Sequence, residues 1–170
     1  MLKFIGVLSV AFSSIGFGVV GYTRMKLREQ ELIDFRRLLT HLQDTLESLQ
    51  SGLQEAFLTA SNHCVTEFKK VLDEFLRLLK NGDGIRASAA WQMALETADL
   101  SLTEEDEMIL KEFGGGLDGH SFDSQKRNIS FAISKIEKQI EDASEQRLQN
   151  GKLALKLGVF CGVGAVLLLV

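Results

Sequence analysis

The sequence predicts an all-α fold, a six-helix bundle flanked by N- and C-terminal transmembrane helices. The 170 residues include no proline. Apolar residues recur at spacings of three and four between breaks that contain glycine, which is the pattern of amphipathic helices. Both ends of the chain are long apolar stretches, which are typical of membrane spans.

The N-terminal stretch from Phe4 to Tyr22 contains nineteen residues without a charge. As a helix it would extend about 28 Å, close to the hydrocarbon thickness of a bilayer. A cleaved signal peptide is the alternative, but no clear A-x-A site follows and the apolar run is longer than a signal peptide needs. We therefore predict a transmembrane helix at residues 1–22.

The C-terminal stretch at residues 153–170 contains one charge, Lys156, which can reach the membrane interface along its own flexible stem. We predict a second transmembrane helix there and a helical bundle at residues 23–152. Basic residues cluster beside both spans on the bundle side: Arg24, Lys26, Arg28, Arg36, Arg37, Arg147, Lys152 and Lys156. The positive-inside rule then places the bundle in the cytoplasm and both termini outside.

The bundle divides into six helices at its glycines and capping residues. The first runs on from the N-terminal span to about Ser51 and Gly52, and the second covers Leu53 to Asn62. Gly82 and Gly84 end the third helix, and the fourth covers about Arg86 to Ala98. Ser101 or Thr103 caps the fifth, which ends in the glycine run 114–119, and the sixth begins near residues 121–124.

Core positions follow from the apolar stripes of these helices. The predicted core residues are Leu32, Phe35, Leu39, Leu42, Leu46, Leu49, Leu53, Val65, Phe68, Leu72, Phe75, Leu76, Leu79, Trp91, Leu95, Ile129, Ile133, Ile136, Ile140 and Ala143. For Trp91 the alternative is a binding anchor on the surface.

The glycine run Gly114–Gly116 with Gly119 invites comparison with a phosphate-binding loop. Such a loop needs a preceding strand and a final Lys-Ser/Thr, whereas here a helix precedes and Leu117 and Asp118 follow. We interpret the run as a turn and expect at least one of its glycines to have a positive φ angle.

No catalytic, cofactor-binding or metal-binding residue is predicted, and no cofactor. His63 and Cys64 are adjacent and so point in different directions on a helix, and neither His41 nor His120 has ligand spacing with them. Cys64 lies in the predicted bundle and Cys161 lies inside the second predicted span, so we do not expect them to meet and infer no disulfide framework. The net charge of −4 gives no basic face for nucleic acid.

Small residues line one face of each predicted span. They are Gly6, Ser9, Ser13 and Gly16 in the first, and Gly158 and Gly162 in the second. Such faces allow close helix approach. Packing of the spans on each other and docking to another membrane protein are both consistent with this pattern.

The chain resembles the stage III sporulation protein AB family of endospore-forming bacteria over its whole length. The resemblance rests on the two predicted spans, the basic residues that follow the first span, and Trp91 after the glycine-containing turn. It also rests on the stretch that contains Phe113, Gly114, Leu117, His120, Ser124, Gln125 and Ile129. Two positions depart from the family pattern. Gly52 stands where the family often has proline, and Asp118 stands where it tends to have glycine.

The resemblance implies a fold similar to the cytoplasmic domain of the type II secretion platform protein F. It also implies a non-enzymatic scaffold in the secretion-like complex between mother cell and forespore, where a cytoplasmic secretion-type ATPase and membrane subunits would be the partners. Homo-oligomerisation is left open. A membrane-anchored sensor or enzyme with an unrecognised ligand site is the alternative function.

Overall fold

The computed structural model is built from α-helices. It describes the backbone of residues 2–48, 53–81, 84–119 and 121–167, and the side chains of residues 20–45, 55, 57–81, 84–119, 121 and 123–149. The helices are α1 (Leu2–Ser48), α2 (Leu53–His63), α3 (Phe68–Asn81), α4 (Ala87–Leu95), α5 (Glu104–Gly115) and α6 (Phe122–Leu167). Within the described ranges there are six helices and no strand, which confirms the predicted all-α class.

The chain divides into two compact units. The first contains residues 1–27 and 142–170, and the second contains residues 28–141. Helices α1 and α6 contribute residues to both units, while α2 to α5 belong to the second unit alone. The packing and the sites described below all lie in this second unit.

No helix in the described part of the chain is long and apolar enough to cross a membrane. The spans predicted at residues 1–22 and 153–170 lie, apart from residues 20–22, outside the residues whose side chains are described. The same holds for the small-residue faces around Gly6 to Gly16 and around Gly158 and Gly162. The two spans therefore stay predictions.

Trp91 occupies the centre of an aromatic core drawn from α1 to α5. Its ring centroid lies 5.4–6.3 Å from those of five fully buried phenylalanines, which are Phe35, Phe57, Phe68, Phe75 and Phe113. The indole Nε1 donates a hydrogen bond of 2.8 Å to the carbonyl oxygen of Leu110, so the polar end of the ring is also satisfied. The prediction that Trp91 is a core residue is confirmed.

Most of the predicted core residues with described side chains are buried or half-buried. Val65 is the exception, at 82% exposed. It lies in the connection before α3, where its backbone N–H donates a hydrogen bond to the carboxylate of Asp34. Leu38 and Val71 are buried without having been predicted. Leu46, Leu49 and Leu53 lie outside the described side chains.

Helix starts in the second unit use carboxylates, one of them from a distant part of the chain. Thr103 caps α5 in a reciprocal capping box with Asp106, as predicted. Helix α4 has no side-chain cap of its own at Arg86. Instead Asp118 accepts hydrogen bonds from the backbone N–H of Ser88, at 3.1 Å, and from its hydroxyl. Asp118, one of the two residues that depart from the family pattern, thus stabilises the start of α4.

The expectation of a positive φ in the glycine run is wrong for its described residues. Gly116 has φ −84°, and the positive-φ glycine of the described chain is Gly84, at 79°. The run is needed for close packing instead. A Cβ on Gly114 would lie 2.0 Å from Trp91 Cδ1, and one on Gly116 would lie 2.3 Å from the Asn128 side chain.

Candidate functional site

A buried cluster of polar side chains joins α1, α5 and α6. The Arg28 guanidinium donates to Asp106 through Nε (2.6 Å to Oδ2) and Nη2 (3.0 Å to Oδ1), and Nη2 also donates to Gln139 Oε1 at 2.9 Å. Arg28 is 8% exposed, Asp106 0% and Gln139 5%. We call these three residues the polar clamp.

Asp106 is ionised in this setting. Burial by itself would raise the pKa of Asp106, but hydrogen bonds from Arg28 and Thr103 outweigh burial and hold the pKa below its ordinary value. The same carboxylate thus forms a two-point ion pair with α1 and closes the capping box of α5. Because both charges are taken out of water, this geometry is what keeps the pair from destabilising the fold.

The clamp lies at the sequence limits of the second unit. Arg28 is its first residue, and Gln139 is two residues before its last, Glu141. Here α1 enters the unit and α6 leaves it, and the Arg28 guanidinium ties α1 directly to α6 through Gln139 and to α5 through Asp106. Sliding α1 against α6 would break the buried hydrogen bond from Arg28 to Gln139, and sliding α1 against α5 would break the buried ion pair with Asp106, which is costly.

Glu31 lies one turn after Arg28 on α1 and is 2% exposed. Its carboxylate accepts a hydrogen bond of 2.7 Å from the backbone N–H of Ser101, in the connection between α4 and α5. Burial raises the pKa of Glu31 to about 7, and the nearby carboxylates of Glu67, Asp34 and Asp99 contribute in the same direction. Ser101, one of the two predicted caps of α5, is therefore a contact of α1 instead.

Asp34 continues this row on α1 and is 1% exposed. Its Oδ2 accepts hydrogen bonds from the backbone N–H groups of Val65 and Thr66 and from the Thr66 hydroxyl, at 2.8–3.2 Å. Its Oδ1 pairs with Arg37 at 3.2 Å. Asp34 thus holds the connection between α2 and α3 on α1.

The sequence interpretation missed this buried polar row, in which Arg28, Glu31 and Asp34 recur every three residues. One signal could have revealed its first member. Arg28 lies four residues before Leu32, so it extends the predicted core stripe of α1 backwards. A charged residue in line with a core stripe indicates a buried partner elsewhere in the chain.

The side chains weighed as ligands are placed as follows. The His41 and His63 rings stack with centroids 6.0 Å apart. Cys64 is buried, and burial raises the pKa of its thiol to about 12, which keeps it neutral and unreactive. Within the described residues no group of three or more His, Cys, Asp or Glu side chains could hold a metal ion. His120 lies outside the described residues.

A cleft of about 270 Å³ opens where α4 leads into α5. Its apolar lining residues are Leu95, Ala98, Leu100, Leu102 and Leu110. Its charged lining residues are Glu96, Asp99, Glu107 and Lys111. Lys111 Nζ already pairs with Glu107 Oε2 at 2.8 Å, so the rim keeps an excess of negative charge. We call this feature the acidic cleft.

The fold and the clamp define an all-helical bundle protein in which a buried arginine of one long helix hydrogen-bonds to the other long helix and forms an ion pair with α5. A solved structure described as stage III sporulation protein AB has this fold, with a TM-score of 0.67 and 23% identity, over 72% of this chain and 98% of that one. The stage III sporulation protein AB of Bacillus subtilis (strain 168) is 25% identical over 174 residues, covering 99% of each chain.

The family profile described as stage III sporulation protein AB matches residues 3–170. The chain therefore belongs to the stage III sporulation protein AB family, as its sequence resemblance predicted.

Proposed function

We propose that this chain is a membrane scaffold subunit of a sporulation secretion-like channel complex, coupling a cytoplasmic ATPase to membrane subunits. In this proposal residues 1–22 and 153–170 span the mother-cell membrane that surrounds the forespore. Residues 23–152 face the cytoplasm, and both termini lie outside. The observation that carries the proposal is the polar clamp between α1 and α6, together with family membership.

The polar clamp is suited to a subunit that transmits force from its helical bundle to the predicted spans. Helices α1 and α6 continue in sequence to the two predicted spans, and Arg28 of α1 binds both Asp106 of α5 and Gln139 of α6. A load applied to the bundle would therefore act on both helices together. Movement of α1 against α5 would break a buried ion pair, and movement of α1 against α6 would break a buried hydrogen bond, so the clamp resists both more strongly than apolar contacts, which can repack.

The other buried polar groups support a structural role as well. Among the described residues, every buried side-chain nitrogen or oxygen has a hydrogen-bond partner. Asp34 and Glu31 use their carboxylates to hold loops onto α1. The acidic cleft, at about 270 Å³, is below the roughly 300–1,000 Å³ of typical small-molecule sites, and the larger depression of about 860 Å³ along residues 123–131 of α6 is open to solvent and does not enclose a ligand. These features favour docking of protein partners over binding of a metabolite.

Membrane topology can be tested by cysteine labelling in intact cells, in a variant with Cys64 and Cys161 replaced by serine. A cysteine added after Val170 should react with an impermeant maleimide, and a cysteine replacing Ser88 should react only after the cells are broken. Labelling at position 88 in intact cells would overturn the proposed arrangement.

Coupling can be tested by inserting a short flexible glycine segment after Tyr22 and after Gly151. Both insertions should block sporulation while the protein still accumulates, because force no longer reaches the spans. The matched control is the same insertion after Gly84, in an exposed turn of the bundle. Sporulation that survives both junction insertions would rule out rigid coupling.

Partners can be tested by crosslinking the full-length protein in sporulating cells, followed by purification and mass spectrometry. We expect a secretion-type ATPase and membrane proteins of the same complex among the products. An Asp106→Asn variant, which weakens the clamp without shortening the side chain, should retain the ATPase and lose sporulation. Recovery of neither partner class with the wild-type protein would contradict the scaffold proposal.

A further inference from the structure

Phe131 on α6 breaks the pattern of aromatic burial in this protein. The other phenylalanines with described side chains are at most 1% exposed, as in the case of Phe35 and Phe113 at the core. Phe131 is 52% exposed. An aromatic ring left in water on a helix that is otherwise polar on that side is typical of an anchor in a protein interface.

The surroundings of Phe131 are basic and open. Lys135 Nζ lies 4.2 Å from the centroid of the ring and also pairs with Glu112 at 2.7 Å. Arg127 is exposed one turn before Phe131, and Lys126 is next to Arg127 in the chain. A shallow depression of about 860 Å³ runs along α6 from Asp123 to Phe131, so no described helix covers this face. We call Phe131, Arg127 and Lys135 the basic knob.

The acidic cleft carries a charge opposite to that of the basic knob. Its apolar lining consists of leucines and an alanine, and its carboxylates are those of Glu96, Asp99 and Glu107, opposite in charge to Arg127 and Lys135. Its volume is suited to one large apolar side chain. Carboxylates beside an apolar lining favour binding of an aromatic side chain that has basic side chains next to it.

We propose that the basic knob of one copy of this chain seats in the acidic cleft of a second copy. Both halves lie on the same folded unit, so each protomer offers one knob and one cleft. Phe131 fills the cleft, and Arg127 and Lys135 face the carboxylates of Glu96, Asp99 and Glu107. Such an interface is heterologous, so repeated contacts build a ring or an open row of protomers along the membrane. This self-association goes beyond the proposed function.

Sedimentation of the full-length protein in detergent tests the interface. The wild type should form concentration-dependent dimers or larger assemblies. Phe131→Ser should weaken association about tenfold or more, as expected for loss of an aromatic anchor. Leu58→Ser is the matched control, since Leu58 is 54% exposed on α2, and it should associate as the wild type does. A wild type that is monomeric throughout, or a Phe131→Ser variant that associates normally, overturns the proposal.

Exchanging the charges of Arg127 and Glu107 tests whether the basic knob contacts the acidic cleft. Arg127→Glu and Glu107→Lys alone should each weaken association, because both side chains are exposed and each change opposes like charges across the interface. The double variant should recover most of the wild-type affinity. Failure of the double variant to recover shows that the knob does not seat in the cleft.

A photo-crosslinking residue, benzoylphenylalanine, at position 131 identifies the occupant in cells. The proposal expects a product containing two copies of this chain, with the crosslink mapped to residues 95–111. A product that contains a different protein assigns the knob to that protein and overturns self-association. Because ATPase recovery is measured separately on the same cells, loss of self-association leaves the scaffold proposal intact, and loss of ATPase recovery leaves this inference intact.

Discussion

The backbone of Gly114 lies against the indole of Trp91, at a distance that excludes a side chain. A Cβ on Gly114 would lie 2.0 Å from Cδ1 and 2.8 Å from both Cγ and Nε1 of the indole. Trp91 is also held by its hydrogen bond to Leu110, one turn before Gly114. The close crossing of α4 and α5 therefore depends on a residue without a side chain at this position.

Gly114→Ala should destabilise the protein by about 1–3 kcal/mol, because the added methyl group overpacks a buried ring that cannot move away. Urea unfolding followed by the fluorescence of Trp91, the single tryptophan of the chain, measures this effect. Gly115→Ala is the control. Its Cβ would meet nothing within 4 Å, so it should be neutral or stabilise α5 by up to about 1 kcal/mol. Equal midpoints for the two variants would contradict the packing described here.

Asp106→Ala should cost about 3–5 kcal/mol, because it leaves the Arg28 guanidinium buried without its counter-ion and removes the capping box of α5. That loss is a large part of the total stability of an ordinary domain. Glu105→Ala, an exposed change in the same turn, should stay within about 0.5 kcal/mol of the wild type. An Asp106→Ala protein that unfolds at the wild-type urea midpoint would show that the clamp contributes nothing to the fold.

The free energy of unfolding should decrease as pH rises, because the pKa of Glu31 is raised in the folded state. Below pH 4.5, the ordinary pKa of the group, both folded and unfolded states hold the proton. Between pH 4.5 and about 7 the folded state keeps the proton and the unfolded state has released it, so folding becomes less favourable with rising pH. The whole change from this group is about 3 kcal/mol.

Glu31→Gln should remove this contribution, since the amide keeps an acceptor for the Ser101 N–H and carries no charge. The variant should be more stable than the wild type at pH 8 and close to it at pH 4.5. Urea midpoints of both proteins across this pH range give the comparison. A wild type and variant with parallel profiles would mean that Glu31 titrates at its ordinary pKa.

Asp118→Ala should destabilise the protein by about 1 kcal/mol, the usual cost of losing a helix cap, because Ser88 loses the acceptor for its N–H. Hydrogen bonds from Ser88 hold the pKa of Asp118 below its ordinary value, so the cap persists at mildly acidic pH. Hydrogen exchange at Ser88 should become faster in the variant, while exposed Glu141→Ala leaves it unchanged. Unchanged exchange in Asp118→Ala would show that α4 does not depend on this contact.

The helices could be predicted from the sequence because their signals are local. Apolar spacing predicted the burial of Leu39 and Phe75, and the Thr103 capping box is written within four residues of chain. The clamp could not be predicted, because Arg28 and its partners are far apart in sequence and no local pattern links them. The glycine run was correctly interpreted as a turn, which the structure has at residues 116–118, but the packing role of Gly114 was missed because it comes from Trp91 on another helix.

Arg28 and Gln139 are separated by 111 positions in the chain. A ribosome that adds about 5–20 residues per second produces Gln139 roughly 6–20 s after Arg28. Asp106 is made 78 residues after Arg28 and Gln139 is the last of the three to be made, so the clamp is incomplete throughout that interval. The bundle can therefore complete its fold only after Gln139 has been made, and in a chain released before that point Arg28 lacks the side-chain oxygen of Gln139 as an acceptor.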